Sequence, residues 1–210
     1  MAMPDGLFPT PLWRWSHPSP ADLDRFAEHI LRLQQRDPVG LSRTNQGGWH
    51  SSTALLNDPE LHDLFSWLSR CCLEAMQSFG WDFNQAVPIF NNAWAMVNRR
   101  GHGNRAHLHA NSLFSGVAYL RVPPDSGAIC FLDPRGGAQM LMPPLMAEAS
   151  EAARGRHRVT PENGLVLLFP GWLWHEVEPS ASDEARICVS FNLGMTPRSA
   201  AAARPRSASS

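Results

Sequence analysis

The sequence has no run approaching the roughly 20 consecutive apolar residues that a membrane-spanning helix needs. It has no basic block, and its net charge is −1, so binding nucleic acid through a phosphate-neutralising patch is not expected. The stretch from Met1 to Trp13 lacks a positive region followed by an apolar core. No signal peptide is therefore expected, and the expected location is the cytoplasm. No two of its four cysteines form a CxxC pair. Cys71 and Cys72 fall in a helical pattern, and Cys130 and Cys188 in strand patterns. They read as small buried hydrophobes rather than zinc ligands or disulfides. There is one tyrosine, Tyr119, and no internal repeat.

What is present suits a soluble globular domain: 210 residues, 43% apolar and 18% charged, enough for one core. Leu7 to Trp15 is apolar and broken by prolines, which suggests an edge strand or an extended arm. Ser19 then reads as an N-cap, with Pro20 at the first helical position and Asp22 three residues on. Leu23, Phe26, Ala27, Ile30 and Leu33 repeat at helical spacing up to Asp37-Pro38. Leu41 to Thr53 shows no period and reads as a loop with at most a short strand. Trp49 reads as a packing residue there and His50 as solvated. A second helix is capped by Asn57 or Asp58, starts at Pro59, carries Leu61, Leu64, Leu68, Cys72 and Met76 on one face, and stops at Gly80. From Ala86 onward the chain reads as about eight short strands separated by Gly and Pro turns, an antiparallel sandwich or jelly roll. The domain is expected over residues 1–194, with a disordered tail at 195–210 that lacks core-forming residues.

The chemistry concentrates in three of these strands. RAHLHANSLFSGVAYL, Arg105 to Leu120, places His107 and His109 one residue apart. On a strand, positions i and i+2 share a face, so both imidazoles can point at one atom. Imidazole suits iron, zinc, copper and nickel, but two surface histidines would read the same way. NGLVLLFPGWLWH, Asn163 to His175, is a buried strand and a Pro-Gly turn ending in a third histidine. RICVSFNL follows, opening on Arg186, eleven residues beyond His175. His102, between two glycines, is the nearest competitor to His107. His157 reads as solvated.

These motifs, HxH, SGVAYL, AICFLDPR, PENGLVLLFPGWLWHEVEP and RICVSFN, resemble a bacterial and phage branch of the iron(II)/2-oxoglutarate-dependent oxygenases. The likeness extends from about Leu7 to Gly194. It implies a double-stranded β-helix, a cupin-like jelly roll, with N-terminal helices packed on one sheet. It also implies iron(II), 2-oxoglutarate and dioxygen as cofactor and cosubstrates. The expected reaction hydroxylates an unactivated C–H bond of a small or amino-acid-like molecule, releasing succinate and CO2. His107 takes the first ligand position and His175 the distal one. The wider superfamily puts a carboxylate where His109 stands. Either the three histidines form the set, or Asp133 completes it; Asp133 also suits the turn Asp-Pro-Arg. Three neutral imidazoles with iron(II) and a 2-oxoglutarate dianion make a neutral site, and a carboxylate would make it −1.

Arg186 is the expected partner of the cosubstrate's distal carboxylate, because a guanidinium fork matches it and stays charged. A salt bridge with Asp183 or Glu184 is the plainer alternative. Tyr119, Ser190 and Asn192 are candidate helpers, and Trp94, Met96 and Trp174 candidate substrate walls. The segment Pro134 to Arg158, with Met140, Met142 and Met146, is expected to be a mobile apolar lid containing one short helix at Ala147 to Arg156. Its Arg154, Arg156 and Arg158 would meet an acidic substrate group or water. Two other classes stay open: a cupin-like three-histidine dioxygenase without cosubstrate, and a non-enzymatic ligand-binding jelly roll. The oligomeric state is open too, a dimer being one option.

Overall fold

The computed structural model describes residues 6–136, 144–149 and 153–198. In chain order the elements are β1 (Trp13–Ser16), α1 (Pro20–Arg36), β2 (Asn45–Gln46), β3 (Trp49–His50), α2 (His62–Ser78), β4 (Ala86–Asn98) and β5 (Gly103–His107). There follow β6 (Phe114–Arg121), β7 (Ile129–Leu132), β8 (Arg156–Val159), β9 (Leu165–Pro170), β10 (His175–Val177) and β11 (Arg186–Pro197). Two sheets face each other, a six-stranded one in the order β1-β9-β6-β11-β4-β3 and a five-stranded one in the order β2-β5-β10-β7-β8. Every ladder within them is antiparallel. This is the expected mainly β jelly roll. No helix among the described residues is long and apolar enough to cross a membrane.

The helices form where their caps dictate. Ser19 Oγ accepts the Asp22 N–H at 3.2 Å, and Pro20 sits at the first turn of α1. The Asp58 carboxylate accepts the Glu60 N–H at 3.0 Å and starts a short 3-10 turn, Pro59–Leu61, that runs into α2. Both helices lay their apolar stripes on one face of the six-stranded sheet. Phe26, Ile30, Leu64, Leu68 and Met76 meet Ala93, Ala95, Val97, Ala118, Leu120, Ile187, Val189 and Phe191 there. The opposite face of the same strands packs Met96, Val117, Tyr119 and Cys188 against Ile129, Phe131 and Val159 of the other sheet. Gly116 is needed between the layers, because a Cβ there would overlap the Phe191 ring. All four cysteines are free and buried.

Several expectations change. The Leu41 to Thr53 region contributes two two-residue strands, and His50 is buried rather than solvated. Strand β5 ends at His107, so His109 lies just past it. β11 continues beyond residue 194, pairing Met195, Thr196 and Pro197 with Pro88, Val87 and Ala86. A partner strand satisfies backbone groups whatever the side chains, so weak composition did not end the strand there. Residues 199–210 of the expected tail lie outside the described residues.

The end of the expected lid is strand, since Arg156 to Val159 form β8 against β7. Arg156 therefore cannot close a helix begun at Ala147. Arg156 pairs with Glu176 on β10, and Arg158 with Glu178 just past its end. Arg154 donates to the Ala147 and Ala149 carbonyls at 2.6 and 3.1 Å. His157 is half-buried, within 3.0 Å of the Arg14 guanidinium. Met146 is exposed, while Met140 and Met142 lie outside the described residues.

Candidate metal centre and carboxylate pocket

Three histidines converge in a cavity of about 260 Å³ between the two sheets. His107 closes β5, His175 opens β10, and the two are register partners. His109 reaches the same place from the following turn, where its N–H donates to the Gly171 carbonyl at 2.8 Å. One ring nitrogen from each lies within 4.8 Å of the others, and the Nε2 atoms of His109 and His175 are 3.4 Å apart. Trp94 also stacks on His109, with centroids 5.7 Å apart and planes 28° apart. His50 stacks on Trp94 in turn, 5.6 Å away and nearly parallel.

The tautomers follow from the partners. His107 Nδ1 lies 2.7 Å from the Arg105 carbonyl and His175 Nδ1 lies 2.9 Å from the Leu173 carbonyl. A carbonyl only accepts, so each Nδ1 carries the proton and each Nε2 presents a lone pair. Burial holds all three rings neutral, lowering His107 below the ordinary imidazole range, His109 to about 4 and His175 to about 3. The like charge of neighbouring rings adds to the effect on His109 and His175. Neutral imidazoles with lone pairs turned to one point are what a divalent cation needs. Nitrogens about 2.1 Å from a metal and at right angles to one another stand about 3 Å apart, close to the 3.4 Å seen here. The histidines fit a metal.

Asp133 is elsewhere. Its carboxylate takes three bonds from Arg135, at 2.7 to 3.0 Å, which hold it below the ordinary carboxylate range. It lines a second, more apolar cleft of about 900 Å³ with Phe8, Trp81 and Trp172. His102 is a turn residue whose Nδ1 accepts the Arg99 N–H.

The cavity's other wall comes from alternate residues of three strands: Trp94, Met96 and Asn98 of β4, Val117 and Tyr119 of β6, and Arg186, Cys188 and Ser190 of β11. Arg186 is 2% exposed. It is not a surface ion-pair partner, because Asp183 is bound by Arg100 at 2.6 Å. One terminal nitrogen of Arg186 donates to the Ser126 and Gly127 carbonyls at 2.8 and 3.0 Å, while its Nε is buried with no partner. Leaving a charged donor unmet in a buried site is costly, and an incoming carboxylate would remove that cost. Burial raises the Tyr119 hydroxyl well above the ordinary tyrosine range, so it stays a donor.

Two expected residues are not there. Trp174 is 46% exposed, since the residue before His175 points the opposite way along a strand. Asn192 is spent on Ser115 at 2.7 Å and Asn92 at 3.0 Å, beside a bulge in β11. Sequence reasoning passed over His50, Arg43 and Thr44 from the β2–β3 region, which line the cavity, and gave no role to Asn98. For Asn98 a signal existed, its period-two spacing from Trp94 and Met96.

Residues 92–192 match a protein-family model described as "Putative 2OG-Fe(II) oxygenase". No curated protein matches the chain. Among solved structures it is similar to a Pseudomonas putida prolyl-4-hydroxylase, with 18% identity over 87% of this chain and 92% of that one, and a TM-score of 0.59. It is similar to HygX from Streptomyces hygroscopicus with nickel and 2-oxoglutarate bound, with 14% identity, 88% and 83% coverage and a TM-score of 0.61. A third is SnoK, a non-heme alpha-ketoglutarate-dependent carbocyclase from nogalamycin biosynthesis, with 14% identity, 90% and 82% coverage and a TM-score of 0.65.

Proposed function

We propose that the chain is an iron(II)- and 2-oxoglutarate-dependent oxygenase that hydroxylates an unactivated C–H bond of a small, amino-acid-like molecule, a reading supported by the family model that residues 92–192 match. In this reading His107, His109 and His175 hold the iron, and Arg186 binds the distal carboxylate of 2-oxoglutarate. When bound, iron(II) with 2-oxoglutarate supplies dioxygen activation: one oxygen atom goes to the substrate and the other to succinate, with loss of CO2.

The chain's residues do the rest. The Nδ1 protons of His107 and His175 are fixed on backbone carbonyls, which keeps each Nε2 turned inward. Arg186 and the protonated Tyr119 orient the cosubstrate by its far end. Met96, Val117, Ile129, Phe169 and Cys188 form apolar walls that keep bulk water away. Trp94, beside His109, offers a flat face to a substrate.

One observation carries this reading: a three-histidine cluster and a buried arginine with an unmet Nε line the same cavity. A cupin-like dioxygenase that uses three histidines and no cosubstrate explains the cluster but leaves that arginine without a purpose. Anaerobic iron(II) plus 2-oxoglutarate should give a weak visible charge-transfer band, and turnover should release succinate. Iron binding with no band and no succinate would favour the cupin-like alternative.

A further inference from the structure

We propose that Asn98 is a second donor for the distal carboxylate of the 2-oxo acid, acting with Arg186 to select dicarboxylates over monocarboxylates; this rests on the cavity being the 2-oxoglutarate site. Asn98 is 1% exposed and lines the cavity, yet neither end of its carboxamide has a hydrogen-bond partner. A buried amide without partners is costly, so something must meet it. Its surroundings are built to keep it. Oδ1 packs over Gly48, where a Cβ would overlap it. The side chain thus fills a space that depends on a glycine, and Nδ2 remains as the donor.

The pairing of strands says what Asn98 faces. It is the direct register partner of Arg186 across β4 and β11. Partners in an antiparallel ladder project to the same face of the sheet. The three unmet buried side-chain atoms found among the described residues belong to these two residues alone. Arg186 Nε and Asn98 Nδ2 both donate, and Asn98 Oδ1, the one acceptor of the three, is turned to Gly48 and makes no bond to Arg186 Nε. One carboxylate, with about four lone-pair sites, can accept from both at once. A neutral ligand group would leave the guanidinium charge unanswered.

The test compares two 2-oxo acids on the full-length protein. 2-Oxoglutarate carries the distal carboxylate; pyruvate presents the same metal-chelating head and lacks it. Both are titrated anaerobically into the iron(II)-loaded parent, Asn98→Ala and Asn98→Asp, with iron affinity measured separately. Asn98→Ala should weaken 2-oxoglutarate about 10- to 100-fold, as loss of a hydrogen bond to a charged group does. Pyruvate and iron affinities should not change. The isosteric Asn98→Asp should weaken 2-oxoglutarate further, because its carboxylate engages Arg186 and repels the ligand, and it should melt no lower than the parent. Equal losses for both acids would make Asn98 a structural residue, and no loss would mean that buried water meets its amide; either overturns the proposal. A parent that binds iron but not 2-oxoglutarate would remove the functional reading itself and this inference with it.

Discussion

The two faces of the six-stranded sheet are made by the same strands and have opposite characters. Toward the helices, Ala93, Ala95, Val97, Ile187, Val189 and Phe191 form a layer without polar side chains. Toward the second sheet, Trp94, Met96, Asn98, Arg186, Cys188 and Ser190 line a cavity whose wall includes a guanidinium and a neutral amide with unmet donors. Neighbouring residues of one strand thus serve stability on one side and ligand binding on the other. The helix-side face can be strictly apolar because α1 and α2 cover it. The cavity face carries groups that make sense only with a ligand present. Substitutions on the two faces should therefore fail in different ways.

The largest effect should come from the metal ligands. His175→Ala should abolish iron binding in the anaerobic chelate assay, and His109→Ala should do the same. His109→Asp should keep iron by restoring a two-histidine, one-carboxylate set, while Asp133→Asn should leave iron bound because Arg135 already holds that carboxylate. Iron loss in Asp133→Asn with retention in His109→Ala would reverse the assignment of the third ligand.

On the helix-side face, Phe191→Ala should cost about 3–5 kcal/mol in chemical denaturation, since the ring is buried, packs on Gly116 and meets Phe90 at 5.5 Å. Iron and 2-oxoglutarate binding per folded molecule should stay as in the parent. A selective loss of binding without a stability change would erase the distinction between the faces.

Arg186→Lys should weaken 2-oxoglutarate about 10- to 100-fold and spare iron, because lysine keeps the charge but loses the planar fork. Unaltered cosubstrate affinity would remove Arg186 from the pocket's function.

The smallest effect is one of pH. His109 and His175 titrate near 4 and 3 in the folded protein, below the unfolded value of about 6.5. Unfolded chains therefore bind more protons in this window, and stability falls there as pH falls. The stability of the metal-free protein should be at its full value above about pH 6.5 and decline as pH drops toward 4. Melting curves from pH 8 to pH 5 should show this decline, and it should be shallower in His175→Ala. A melting temperature that rises on acidification would contradict buried neutral histidines.

Much of the cavity was legible beforehand because strands impose a period of two. Trp94, Met96 and Asn98 share a face in the sequence, and so do Arg186 and Ser190. The same rule misled at Asn192, where neighbouring polar groups capture the side chain. At Trp174 alternation points the other way, since its neighbour His175 is turned inward and Trp174 is exposed. His50 looked like a solvated loop residue because its burial depends on β3 pairing with β4, a contact distant in sequence.

By itself the sequence determined the helices, through Ser19, Asp58 and their apolar stripes, and the alternation that gives each strand two faces. Both are local: caps and periodicity act within a few residues. The HxH spacing likewise announced two of the three clustered histidines. Only the tertiary structure decided that Asp133 turns to Arg135 and away from the cluster. It alone put Asn98 opposite Arg186 and brought His109 in from a turn rather than a strand. The placing of Asn98 depends on register between strands whose partners lie 88 to 111 residues apart in sequence, set by the hydrophobic pattern of both sheets together, which no single stretch of chain encodes.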